Sequence, residues 1–335
     1  MRRFHLFEFH ELPWFPAVWR DLLTDYLSFY ASAFKPYAGV APLLADALKE
    51  AGDSRIVDLC SGAGRPLLSL VPSLRRFGVR DLHVTLTDKY PNQACVSHNV
   101  AAADRDMPQS AAFSPIGVLD VLSSTTPHPS GRKRNISRHL AGLATRRGEK
   151  CRLEARENVG ETGVVVTYLE TPVDAVDVPS DLKGFRTLFT SFHHFRPDAA
   201  RKILADAVRK GEGVGIFEYT ERNWLIWTMP ILLIPAFIWL STPFIRPFRW
   251  RRFLWTYLIP VVPIIAMWDG FVSNLRTYSI DEIRDLVRQL DDQGYEWKVG
   301  RAPAIGMSRV TYAIGSPQTE KESRESYPFG SDCRE

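Results

Sequence analysis

The chain reads as an α/β protein: a doubly wound, seven-stranded, mostly parallel sheet with an antiparallel last strand, plus an apolar helical insertion after strand five. Three observations predict it. Short β-branched or apolar runs alternate with helical patterns between residues 55 and 220, the signature of βαβ units. The stretch RIVDLCSGAG (55–64) passes from a strand through two glycines into a helix start. The chain then closes on YEWKVGRAP and SRVTYAIGSP, two alternating runs joined by a short link, as in an antiparallel pair.

Residues 1–52 precede the first strand and read as a helical cover, with apolar positions Val18, Leu22, Leu23, Tyr26, Leu27 and Tyr30 at helical spacing and a second helix over 40–51. Ile56 to Cys60 is the first strand, and a helix from Pro66 to about Phe77 follows the glycines. Proline is tolerated in a first helical turn because its missing N–H has no partner there in any case. LHVTLTDKYP is the second strand, ending at Asp88, with a helix over 91–103. GVVVTYLE, FRTLFTSF and GVGIFEYT are strands three to five, with a helix over PDAARKILADAVRKG. SIDEIRDLVRQLDDQG carries Ser279 and, three residues on, Glu282, a capping box, and Gly294 as a stop. The Rossmann-like domain spans 53–316, and the polar tail 317–335 is expected to be disordered.

The glycine turn excludes two ligands. No Lys-Ser or Lys-Thr follows, so it is not a phosphate-cradling P-loop. Counting from Gly62, the third position of a dinucleotide fingerprint is Leu67, too bulky for close helix–strand packing. A turn without a phosphate signature suits a ligand that joins a nucleoside to an amino acid, which points to S-adenosylmethionine.

On these residues the chain resembles the class I S-adenosylmethionine-dependent methyltransferases, over roughly 40–105 and 160–316. The family motif is an acid, a variable residue, then G-x-G-x-G. Asp58 supplies the acid, Gly62 and Gly64 the last two glycines, and Cys60 stands where the first glycine is expected. The resemblance implies that Asp58, Gly62, Gly64 and Asp88 bind the cofactor, Asp88 through the ribose hydroxyls. It implies an acid near the adenine, Asp174 or its neighbour Asp177. His193 and His194 in TSFHHF lie beside the expected transfer site and are the catalytic candidates, with loop support as the alternative role. Glu218 ends strand five as a structural or a pocket-facing residue.

Composition narrows the partners. A net charge of +4 over 335 residues gives no signal for nucleic acid. The four cysteines are scattered without zinc spacing, so no metal site is expected and a reducing compartment is favoured. Glu8, His10 and Glu11 interrupt the aromatic N-terminal stretch, a poor signal peptide. The expected location is the cytoplasm or the cytoplasmic face of a membrane.

Two segments lie outside the family pattern. Residues 105–160 are strongly basic, a nucleic-acid or acidic-lipid patch, a disordered insertion or translated intron sequence. No aromatic residue is interleaved for base stacking, which favours the latter two. The insertion 223–268 holds two uncharged runs, 224–245 and 253–268, around RPFRWRR, and six of the nine tryptophans. A spanning hairpin sets these arginines on the side opposite the catalytic fold, against the positive-inside rule. An interfacial pair or a buried cap avoids that conflict. Pro230, Pro235, Pro243, Pro260 and Pro263 are expected to break long helices. The reading is methyl transfer to a small hydrophobic or lipid-like acceptor, with membrane contact through 224–268. The alternatives are a non-catalytic cofactor-binding scaffold and a nucleic-acid methyltransferase.

Overall fold

The computed structural model describes residues 3–91, 164–222, 224–290 and 294–318. The expected helix over 91–103, the basic segment 105–160 and the tail from 319 lie outside them.

Seven strands form one sheet: β1 (Arg55–Asp58), β2 (Leu82–Leu86), β3 (Val164–Tyr168), β4 (Phe185–Phe189), β5 (Val214–Glu218), β6 (Tyr295–Pro303) and β7 (Arg309–Pro317). Their order is β3-β2-β1-β4-β5-β7-β6. Neighbours from β3 to β5 pair parallel, and β7 runs antiparallel to both β5 and β6. Both faces of the centre are covered. Ile56, Phe185 and Phe217 pack with the helical segment 37–48, while Val57, Leu188 and Ile216 face Ile203, Leu204 and Leu286 on the other side. Burial on both faces is why these strands read as continuous apolar runs and do not alternate.

The helices are α1 (Ala17–Phe34), α2 (Ala41–Ala51), α3 (Arg65–Leu68), α4 (Val71–Arg76), α5 (Pro197–Lys210), α6 (Trp224–Ser241), α7 (Trp250–Phe253), α8 (Val261–Arg276) and α9 (Ile280–Arg288). Three expectations are corrected. The single helix to Phe77 is two short ones, α3 and α4, because Pro72 has no N–H to continue the ladder across Ser69 and Leu70. The helix expected to reach Gly294 stops at Arg288, although its capping box forms as predicted, Ser279 Oγ accepting from the Glu282 amide and Glu282 Oε2 from the Ser279 amide. Pro235 does not break α6, which continues through it. Pro243 and Pro260 do fall at breaks, and Pro263 sits in the first turn of α8, where its missing N–H is harmless.

The N-terminal cover and the apolar insertion form one cap. Phe15, Leu22, Leu23 and Tyr26 share a core with Ile238, Ile245, Val262 and Ile265. Arg252 is fully buried within it, donating to Asp25 Oδ2 at 2.6 Å and to the Ile245 and Pro247 carbonyls. The arginine cluster is therefore split: Arg252 locks the cap, while Arg246 and Arg251 face outward. Among the described residues no single helix is long and apolar enough to cross a membrane. The segments Trp250–Leu258 and Val261–Arg276 reach that length only together, bent by 75°.

Candidate active site

Strand order reverses between β1 and β4, so the chain leaves their C-terminal ends in opposite directions and opens a crevice there. Two loops border it: Leu59–Gly64 after β1 and Thr190–His194 after β4.

The first loop is built from left-handed residues. Cys60, Gly62 and Gly64 have φ of 54°, 54° and 70°. For Cys60 that conformation costs on the order of 1 kcal/mol, which glycine avoids. At Gly64 an added Cβ would run into the Leu86 side chain of β2, which would have to be pushed aside. At Gly62 a Cβ meets nothing within 4 Å; the loop backbone faces open space. Burial, together with the Asp88 and Asp58 charges, pushes the Cys60 thiol far up, so it stays protonated.

Asp88 ties this loop to the end of β2. Its Oδ2 accepts from the Gly62 amide and its Oδ1 from the Tyr90 amide, both at 2.8 Å. Burial raises its pKa despite those hydrogen bonds. Asp174 lies past the end of β3, half-exposed, pairing with Lys89 Nζ at 3.2 Å and accepting from the Val176 amide. Asp177 is exposed.

Asp58 does something different from the other acids. Its carboxyl points along the sheet to β4, where Thr187 Oγ1 donates to Oδ1 at 2.6 Å. It is 1% exposed, and burial, opposed by the Thr187 bond and helped by Asp88, pushes it up to about 8. A folded pKa above the unfolded value of 3.8 means stability is lost as pH rises between the two. Asp58→Asn is therefore expected to match the wild-type melting temperature near pH 5 and to exceed it near pH 9. A wild-type advantage that persists at pH 9 would show that the carboxylate is compensated.

The loop after β4 is also strained. Thr190 has φ 43°, costly for a β-branched residue, and is held by Tyr37 Oη at 2.6 Å and by the Tyr219 amide, which donates to its Oγ1. Next come the histidines. His193 is buried, and its Nδ1 sits 2.8 Å from Glu218 Oε2. Glu218 Oε1 accepts from the Phe192 and His193 amides, so one carboxylate shapes the turn and orients the ring. Burial opposes a charge on His193, but Glu218 outweighs it and raises the pKa. His193 Nε2 is buried, 3.8 Å from Glu8 Oε1, and has no hydrogen-bond partner among the described residues. His194 Nδ1 contacts Glu11 Oε1 at 2.8 Å. Burial and the neighbouring His193 lower its pKa.

Five residues near the histidines escaped the sequence reading: Glu8, His10, Glu11, Asp269 and Arg276. Segment 3–16 lies across the site. Arg3 donates to the His193 and Phe195 carbonyls, and Arg276 bridges Glu8 and Glu11. Asp269 Oδ1 accepts from the Phe9 amide at 2.7 Å and its Oδ2 lies 3.0 Å from His10 Nδ1. The signals were present. The polar residues that spoil 1–16 as a signal peptide are the ones that reach the site. Asp269, Ser273 and Arg276, at i, i+4 and i+7, form one polar stripe on an otherwise apolar helix. The cover also touches the cofactor side, with Arg20 over the Tyr90 ring at 5.1 Å and Arg65 Nε donating to Ser32 Oγ.

Strand order 3-2-1-4-5-7-6, with only strand seven reversed, decides the architecture. It is the class I methyltransferase fold. No family model matches the chain, and no curated protein matches it. Among solved structures it is similar to an O-methyltransferase family protein from Burkholderia thailandensis, at 14% identity and TM-score 0.33 over 85% of this chain and 58% of that one. It is also similar to the plantazolicin methyltransferase BpumL in complex with SAH, at 9% and 0.40 over 90% and 96%. A third is human N-acetylserotonin methyltransferase in complex with SAM, at 10% and 0.41 over 89% and 56%. The chain thus spans little more than half the length of the first and third. Likeness of this size adds nothing to the strand order.

Proposed function

We propose that the chain transfers a methyl group from S-adenosylmethionine to an apolar acceptor that it collects at the cytoplasmic face of a membrane. The observation that carries this is the open space at Gly62 beside the Asp88 carboxylate, at the mouth of the β1–β4 crevice. Ser61 Oγ and Ser191 Oγ, one from each loop, are buried and have no hydrogen-bond partner among the described residues. Orphaned hydroxyls at a loop that leaves room for a ligand fit a polar cofactor.

Asp88 would hold the ribose hydroxyls, the Gly62–Gly64 backbone the amino-acid end, and Asp174 the adenine edge. When bound, the cofactor supplies an electrophilic methyl group on a sulfonium. Positioning does much of the work in such a displacement. Glu218 fixes the His193 ring with Nε2 turned toward Glu8 Oε1, 3.8 Å away, and that nitrogen would take the acceptor's proton. The cap excludes water.

An apolar acceptor is favoured by the cap's outer face. Leu258, Leu240 and Phe244 are 76%, 73% and 70% exposed, and Trp250 and Phe248 lie alongside in sequence with the outward Arg246 and Arg251. Each such side chain gains roughly 2 kcal/mol on leaving water, enough for a few to hold a protein at a lipid surface.

The test has two arms. Wild-type protein is expected to move radiolabelled methyl from S-adenosylmethionine into a solvent-extractable product of a lipid extract. It is also expected to float with phosphatidylcholine–phosphatidylglycerol vesicles, whereas Leu240→Glu/Leu258→Glu stays in the pellet. Folded protein that transfers no label overturns the enzyme reading and leaves a scaffold. Transfer without flotation restricts the insertion to a soluble cap. The nucleic-acid alternative depends on 105–160, outside the described residues.

A further inference from the structure

We propose that Glu8, His10 and His194 form a binding site for a divalent first-row transition-metal cation, with Glu11 and Asp269 at its edges. The site does not depend on the methyl-transfer reading.

The donor atoms converge. Glu8 Oε2 lies 3.6 Å from His10 Nδ1 and 3.6 Å from His194 Nδ1. One ligand atom from each of the three lies within 4.8 Å of the other two. Asp269 Oδ2 is 3.0 Å from His10 Nδ1, and Glu11 Oε1 is 2.8 Å from His194 Nδ1. Two donors bound to one ion at zinc-like distances stand about 3.0 Å apart in octahedral and about 3.5 Å apart in tetrahedral geometry. The two Glu8 spacings lie close to the tetrahedral value with no ion to impose it, while the Asp269 and Glu11 contacts are hydrogen-bond lengths, so each imidazole would exchange an N–H proton for the cation.

A second observation is independent of the clustering. Glu8 is 0% exposed, and its two oxygens are used unequally. Oε1 accepts from Arg276 at 3.0 Å and from Ser273 at 3.2 Å. Oε2, the atom aimed between the imidazoles, has no hydrogen-bond partner among the described residues. An acceptor oxygen of a buried carboxylate left unpaired carries a desolvation cost that a bound cation removes.

Charge points the same way. Glu8, Glu11 and Asp269 converge here against the Arg276 guanidinium, while Glu218 is paired with His193. Arg276 Nη1 approaches His194 Nδ1 to 3.4 Å, but its N–H groups are directed to Glu8 Oε1 and to both oxygens of Glu11. Arg3 also lies nearby, donating to the Arg276 carbonyl. Imidazole and carboxylate donors without a thiolate suit Zn²⁺, Fe²⁺ or Mn²⁺. Three protein ligands leave a coordination position open, as catalytic zinc sites do. If the chain transfers methyl as proposed above, that position would take the acceptor's oxygen.

The full chain, stripped with chelator, would be titrated calorimetrically with ZnCl₂ and spectroscopically with CoCl₂. The expected result is one Zn²⁺ per chain with Kd below about 1 µM, and visible Co²⁺ bands of imidazole–carboxylate coordination. Glu8→Gln and His10→Asn should each weaken Zn²⁺ at least thirtyfold and abolish the Co²⁺ bands, while His83→Gln, at an exposed histidine on β2, should change neither. His10 is on the half-exposed rim, so His10→Asn decides the matter if Glu8→Gln does not fold. Folded wild-type protein that binds no stoichiometric Zn²⁺ overturns the proposal. So does binding that both variants leave unchanged. S-adenosylmethionine affinity, measured on the same samples, separates loss of the metal from loss of the cofactor site.

Discussion

Asp88→Ala is expected to raise the Kd for S-adenosylmethionine at least hundredfold, about 2.7 kcal/mol. The wild-type carboxylate accepts from the Gly62 and Tyr90 amides, and in the proposed complex it also holds the ribose. Hydrogen bonds to a charged group contribute roughly 1.5–3 kcal/mol each, so the ribose contacts alone reach that figure. Removing the carboxylate also frees Gly62 and Tyr90 to move, which lowers affinity further. Calorimetric titration of both proteins measures it. Unchanged affinity in the alanine variant would mean that Asp88 serves only the loop. Asp88→Asn, which keeps an acceptor oxygen, should fall between the two.

The second large effect lies beneath the histidines. Glu218→Gln should destabilise the protein by about 3 kcal/mol in denaturant unfolding, the lower range for breaking a buried pair. Glu218 is fully buried and accepts from two backbone amides, from His193 Nδ1 and from Thr220 Oγ1 at 3.1 Å. Glutamine must turn an NH₂ toward one of those donors. The loss should depend on pH. Burial works against Glu218's charge, but His193 lowers its pKa below the ordinary 4.5, so its contribution is present above 4.5 and fades as pH falls through the folded value. His193 is raised above 6.5, so its share is complete below 6.5 and fades as pH rises through the folded value. The stability gap between wild type and variant should therefore be widest between pH 4.5 and 6.5 and narrow on either side. A gap independent of pH would mean that Glu218 acts only through the Phe192 and His193 amides.

The sheet was legible because its residues obey local rules. β-Branched runs, a glycine turn and a capping box each act within a few residues, and the parallel, doubly wound arrangement followed from the alternation of strands with helices; the order of the strands is long-range and did not. The helix break at Pro72 was legible in principle, since the proline was in view. The direction of Asp58 was not. A carboxylate at a strand end reads the same whether it faces a loop or crosses to Thr187 on the next strand, and only the register Asp58↔Thr187 distinguishes them. The polar cluster was the least legible. Its members come from residues 8–11, 193–194, 218 and 269–276, and no spacing rule connects such distances. What the sequence did carry was their incongruity: acids and a histidine among aromatics, and a polar stripe on an apolar helix.

The Glu8–Arg276 contact closes a loop of 268 residues. Loop closure becomes costlier only slowly with length, so the span costs little at equilibrium. It matters for timing. During synthesis, Glu8 and Glu11 emerge first and wait for a guanidinium that leaves the ribosome after nearly all of the sheet has been made, short only of β6 and β7. Until then segment 3–16 has no seat, and the histidine pocket stands open to water. Segment 3–16 therefore docks only once residues 269–276 have been made, and it latches onto a sheet that still lacks its last two strands.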